Sequence, residues 1–128
     1  MPPKSLSGAL RQKLGPGKGR LLTALRETIS VMEQCPGEDS TDRAMIKKWI
    51  AKGKGKEATL KNTTEYVEKL QNDWLEIIYR LTEGEIQDAE MTIYEQFVKS
   101  TPGTEGIDDL LDRARTNRDK LAELMAER

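Results

Sequence analysis

The chain has 128 residues, no histidine, a single cysteine, and 21 basic against 22 acidic side chains for a net charge of -1. A chain this size forms one domain at most, and with 36% hydrophobic but only 5% aromatic residues its core must be largely aliphatic or shared with a partner. Without histidine it lacks the commonest general base near neutral pH and the commonest metal ligand, so no enzyme, cofactor or metal site is expected. Cys35 has neither a second cysteine nor a histidine to activate it and reads as a bystander. No apolar run approaches the roughly 18 residues of a membrane span, and no hydrophobic segment follows Met1-Pro2-Pro3-Lys4. The expected setting is intracellular and reducing, and the Asn62-Thr63-Thr64 sequon is without consequence there.

Residues 1–19 mix Pro2, Pro3, Ser5, Ser7 and Gly8 with a Gly15-Pro16-Gly17-Lys18-Gly19 run, which predicts a disordered basic tail. A first helix is predicted over about 20–34, where Leu22, Leu25, Ile29 and Met32 recur at helical spacing, and Pro36-Gly37 ends it. Asp39-Ser40-Thr41-Asp42 offers N-cap candidates for a second helix carrying Ile46, Trp49 and Ile50 on one face. Lys52-Gly53-Lys54-Gly55-Lys56 weakens it, but the next apolar stretch stays in phase across the interruption. Leu60, Thr63, Val67, Leu70, Trp74, Ile77 and Leu81 alternate in steps of three and four, an a/d heptad seam. One long helix over 41–82, intact or broken at 52–56, is therefore predicted. Glu65 with Lys69 and Glu76 with Arg80 mark its exposed side as i,i+4 pairs.

Thr82-Glu83-Gly84-Glu85 combines a glycine stop with a Thr-x-x-Glu capping box, and so short a connection predicts an antiparallel helical hairpin. The third helix, about 85–100, presents Ile86, Ala89, Ile93 and Phe97 and breaks at Thr101-Pro102-Gly103. A last helix, about 105–127, starts with Asp108 and Asp109 at its positive dipole end. Its apolar stripe contains Asn117, which is either a register-setting polar residue or the wet edge of the stripe. The predicted fold is all-α: an antiparallel bundle or coiled-coil hairpin of three to four helices around one long central helix.

The charges are segregated. Residues 1–26 carry six basic side chains and no acid, 27–42 five acids and no base, 43–56 six bases and no acid, and 57–128 seventeen acids and nine bases. Such blocks attract one another or touch phosphates. Lys18, Arg20, Lys47, Lys48, Lys52, Lys54 and Lys56 are the candidate contacts to RNA or DNA, with Trp49 among them as a core residue or a stacking platform. The glycine run does not match a phosphate loop, since Arg20 stands where that loop needs Gly-Lys-Ser/Thr spacing.

Gly19-Arg20-Leu21-Leu22-Thr23-Ala24-Leu25 after a basic segment, then a spacer, a long charged helix ending in Leu70-Gln71-Asn72-Asp73-Trp74-Leu75 and a hairpin partner, resembles the helical N-terminal region of Gag-like polyproteins of Bel/Pao-type long-terminal-repeat retrotransposons. The likeness spans about residues 19–126. It implies a non-enzymatic assembly or interaction segment, and the absence of a CCHC zinc knuckle and of an Asp-Thr/Ser-Gly triplet implies only part of such a polyprotein. The expected function is self-assembly or binding of another helical protein through Leu60, Val67, Leu70, Trp74, Ile77 and Leu81. The alternative is a nucleic-acid-binding accessory module using the basic blocks. Leu70→Asp tests the seam: an unpaired charge at its centre abolishes folding or assembly, read as lost helicity by circular dichroism or an altered mass in solution.

Overall fold

The computed structural model describes the backbone of residues 4–128 and the side chains from Gly8 onward. These residues form four helices, α1 (Lys4–Glu33), α2 (Arg43–Arg80), α3 (Gly84–Val98) and α4 (Ile107–Ala126). The all-α expectation is met, with α2 as the long central element at 38 residues, about 57 Å at 1.5 Å per residue. Among the Asp39–Asp42 candidates it is Asp42 that caps α2, its Oδ1 accepting from the Met45 backbone N–H at 3.0 Å. The helix runs unbroken through residues 52–56. A Cβ on Gly53 would meet Met125 Sδ at 2.8 Å and Leu121 Cδ1 at 3.5 Å, so this glycine is where α4 comes closest. Its propensity cost of about 1 kcal/mol is offset by that packing.

α1 packs antiparallel along α2. Gly17 lies under Tyr66, Val67 and Leu70, Glu27 pairs with Lys56, and Val31 meets Trp49. The third layer is made of two helices in series, both running against α2. α3 covers its C-terminal end, with Gln87 on Ile78 and Glu90 on Trp74. α4 takes over at Asp108 beside Gln71 and continues to Leu121 and Met125 over Gly53. Between them Thr101 and Thr104 exchange two backbone bonds of 2.9 Å around Pro102-Gly103, and Gly103 has φ of 83°. That is a type II turn, with proline and glycine where it requires them.

Four expectations need correction. The predicted tail of 1–19 is helical from Lys4, and α1 passes straight through Gly15-Pro16-Gly17; residues 1–3 lie outside the described residues. Leu14 is fully buried, Pro16 faces solvent, and Gly17 is buried where a Cβ would lie in ordinary contact, 3.4–3.7 Å, with Tyr66, Val67 and Leu70. Packing against α2 thus holds together a helix that its local sequence opposes.

The seam, secondly, does not keep heptad phase to its end. Leu60, Thr64, Val67, Leu70, Trp74 and Ile78 are buried, whereas Thr63, Ile77 and Leu81 are only partly covered. A straight helix at 3.6 residues per turn drifts about 20° per heptad, and the drift moves the stripe from Ile77 to Ile78.

The predicted capping box, thirdly, is not formed. Glu83 is the N-cap of α3 without a side-chain bond, Gly84 opens the helix, and Gln87 Nε2 donates back to the Ile78 and Leu81 carbonyls at 3.0 and 3.3 Å. Orphan carbonyls at the end of α2 are satisfied from α3.

Finally, Lys69 pairs with Asp73 at 3.1 Å rather than with Glu65, while Arg80 and Glu76 approach to 3.8 Å as expected. Asn117 Nδ2 donates to the Arg113 carbonyl of its own helix at 2.8 Å, the behaviour of a residue at the edge of the stripe. No helix among the described residues is long and apolar enough to cross a membrane.

Pro16 and Gly106 should respond in opposite senses. Pro16→Ala restores an N–H inside α1 and raises stability by about 1–3 kcal/mol. Gly106→Ala drives a methyl into the Val98 carbonyl oxygen and the backbone of Lys99 and Ser100, and lowers it. Midpoints of urea unfolding measure both shifts.

Candidate interaction surfaces

Trp74 is fully buried and forms the hub of the bundle. Its ring meets Tyr94 edge-on at 5.3 Å and Phe97 at 5.6 Å, and its Nε1 donates to Glu90 Oε1 at 3.0 Å. Glu90 is only 4% exposed, and this bond joins α2 to α3 at the centre of the apolar cluster. Gln71 Nε2 donates to both the Tyr94 hydroxyl (3.1 Å) and Asp108 Oδ1 (2.8 Å), tying α2, α3 and the start of α4 together. Burial pushes the Tyr94 hydroxyl above the ordinary tyrosine range; the bond from Gln71 opposes the shift and the Asp108 carboxylate adds to it. Leu60, Val67, Leu70 and Trp74 therefore spend their apolar surface inside one chain, and only Ile77 and Leu81 keep part of theirs.

Trp49 is likewise interior, at 5% exposure, and its Nε1 donates to the Val31 carbonyl at 2.7 Å. This bond caps one of the last carbonyls of α1 and leaves no ring face for a base. Among the predicted basic contacts, Lys18 donates to the Glu105 carbonyl, Lys52 to Gln34 Oε1 at 2.8 Å, and Lys56 pairs with Glu27 at 3.3 Å. Arg20, Lys47, Lys48 and Lys54 are exposed and make no ion pair with any described residue. The antiparallel register of α1 on α2 explains the division: it sets the acidic stretch 27–42 beside the basic stretch 43–56. Of the lysines that turn toward α1, Lys56 is neutralised by Glu27, and Lys52 is hydrogen-bonded to the uncharged Gln34 amide.

The side of α2 that faces away from the bundle carries a pattern that the search for apolar periodicity passes over. Ala44 and Lys47, Ala51 and Lys54, and Ala58 and Lys61 repeat as Ala-x-x-Lys every seven residues, with Arg43 at the start of the same line, and all are exposed. From Glu65 the same side is mixed, with Glu65, Asn72 and Glu76 exposed beside Lys69 and Arg80, Glu68 at its margin paired with Arg115, and Tyr79 at the end. At 68% exposure Tyr79 is the most exposed large hydrophobic residue among those described. The concavities beside this helix are shallow grooves, one along Glu65, Glu68, Asp73 and Glu76 and one between Ile46, Ile50, Lys47 and Arg128. No protein-family model, no curated protein and no solved structure matches the chain.

The Trp74–Glu90 bond gives a direct test of the hub. Glu90→Leu leaves the indole N–H buried without its acceptor and costs about 1–3 kcal/mol, whereas Glu90→Gln keeps an acceptor oxygen and costs less. Chemical unfolding followed by tryptophan fluorescence ranks the two variants.

Proposed function

We propose that this chain is a non-enzymatic, self-associating helical interaction domain acting inside the cell, the class of role that the Gag-like resemblance implies. The observation that carries this reading is the outward side of α2. Over the length of the longest described helix one side is exposed, and in its N-terminal half Lys47, Lys54 and Lys61 are segregated into one row with no acid among them. A purely solvated face has no need of such segregation; interspersed charges serve solubility as well. The reading moves the contact surface from the apolar seam, which the bundle occupies, to this charged side.

A second reading is favoured by Arg43, Lys47, Lys54 and Lys61, four cations without an ion pair among the described residues, in line over about 27 Å of helix. Such a row suits a nucleic-acid backbone bound without sequence preference.

Light scattering behind size exclusion, over a concentration series at low and high salt, tests the proposal. The expected mass is a multiple of 14.5 kDa at low salt, falling as ionic strength shortens the range of charge interactions below about 10 Å. A monomer at every concentration overturns it. Salt-sensitive binding of labelled RNA by that monomer would then establish the second reading.

A further inference from the structure

We propose that the N-terminal half of the outward side of α2 seats the two phosphate ridges of a nucleic-acid duplex, RNA or DNA, without reading its bases. The inference rests on the second reading above and specifies the form of nucleic acid, two strands rather than one. Residues 43–61 carry seven basic side chains and one acid, Glu57, which is half-buried. Lys56 is taken by Glu27 at 3.3 Å, whereas Arg43, Lys47, Lys54 and Lys61 are exposed in line with no ion pair to any described residue. Ala44, Ala51 and Ala58 keep the ridge of the helix low beside them, so a rigid rod can approach and the lysine stems can bend onto its phosphates.

The line starts in a groove where cations from two ends of the chain converge: Arg43 and Lys47 line it together with Arg128, and Ser40 and Thr41 complete one wall. Arg128 is held from behind, its Nε donating to Cys35 Sγ at 3.3 Å. Glu38 and Glu127 act on the same guanidinium, so Arg43 and Lys47 carry most of the groove's attraction for a phosphate. Asp42, the acid next to them in the chain, is spent on capping α2 through the Met45 N–H at 3.0 Å. Beyond Lys61 the helix does not turn the rod away. Glu68 is paired with Arg115, Asp73 with Lys69 at 3.1 Å, and Glu76 lies 3.8 Å from Arg80. Glu65 is left as the exposed acid without an ion pair on this side among the described residues.

A single strand is held largely by stacking its bases on aromatic rings, and this half of the helix offers none. Trp49 is buried with its Nε1 on the Val31 carbonyl, and Tyr66 and Tyr79 belong to the other half. A duplex needs no ring. It presents phosphate ridges on both sides of a groove about 6 or 12 Å wide. Lys47, Lys54 and Lys61 follow at seven-residue steps, about 10.5 Å apiece, so successive lysines reach opposite ridges. Its charge, one per about 1.7 Å of axis, is also about twice as dense as that of one strand. An anionic membrane fits less well, because alanines separate these lysines and no large apolar side chain stands among them to enter the lipid.

Fluorescence anisotropy of the full chain tests this, with labelled RNA and DNA duplexes of mixed sequence and their single strands, over about 50 to 200 mM salt. Either duplex should bind at least about tenfold more tightly than its single strand at the low-salt end. The logarithm of the binding constant should fall with that of the salt concentration at a slope of about -3.6, for four phosphates neutralised. Lys54→Gln with Lys61→Gln, both exposed, should keep the wild-type circular dichroism and flatten the slope by about 1.8. Glu65→Lys continues the row and should steepen it by about 0.9. Lys99→Gln, at the end of α3 and paired with Glu95, should leave it unchanged. A single strand bound as tightly as the duplex overturns the duplex inference while the second reading stands. A slope that Lys54→Gln with Lys61→Gln does not alter puts the contact elsewhere and overturns both. Absence of binding at low salt also defeats both; if vesicles containing phosphatidylserine then bind the chain, the row belongs to a membrane surface.

Discussion

A helix of 38 residues with an apolar stripe down one side must be covered over its whole length, and no other helix among the described residues is that long. The bundle follows from this requirement. α1, at 30 residues, lies along one groove of α2, and the other groove is filled by α3 and α4 placed end to end. The type II turn at Thr101–Thr104 and the close packing of Gly106 on Val98 are the joint of that composite third helix. Trp74 sits where α2, α3 and the joint converge, and its ring contacts and its bond to Glu90 make this end of the bundle specific rather than merely greasy.

Two glycines that local propensity reads as weak points are contact points. Gly53 admits Met125, whose Sδ a Cβ would meet at 2.8 Å, and Gly17 lies against α2 where a Cβ would make ordinary contact. Each forgoes about 1 kcal/mol of helix propensity, against about 1.5–3 kcal/mol for each apolar side chain buried at the helix interface. The balance favours continuous helix only when the partner helix is present, so the energy that keeps α1 intact across Gly15-Pro16-Gly17 is tertiary.

Charge is organised by the same antiparallel register. Glu27 neutralises Lys56 across the interface with α2, and Gln34, just past the end of α1, accepts a hydrogen bond from Lys52 without cancelling its charge. Lys47, Lys54 and Lys61 lie in one row on the outward side of α2, which toward its C-terminal end mixes Glu65 and Glu76 with Lys69 and Arg80. Pairs at an exposed surface contribute little singly, about 0–1 kcal/mol, so this side is not a source of stability for the fold.

The sequence was sufficient for the local features: the helical class, the stops at Pro36-Gly37 and Thr101-Pro102-Gly103, the Asp42 cap, the hairpin after α2, and most of the buried stripe. All of these follow from backbone chemistry or periodicity within a few residues. The tail that became helix, the shift of burial from Ile77 to Ile78, and the bond from Gln87 that replaced the capping box all depend on residues far along the chain or across a helix interface. The outward side of α2 lies between these cases. Its Ala-x-x-Lys repeat is plain in the residues, but an apolar seam and a charged line on opposite sides of one helix look equally able to bind. Only the tertiary structure decided which was free, because Leu60, Val67, Leu70 and Trp74 gain more from α1, α3 and α4 tethered in the same chain than from a partner that must be brought in from solution.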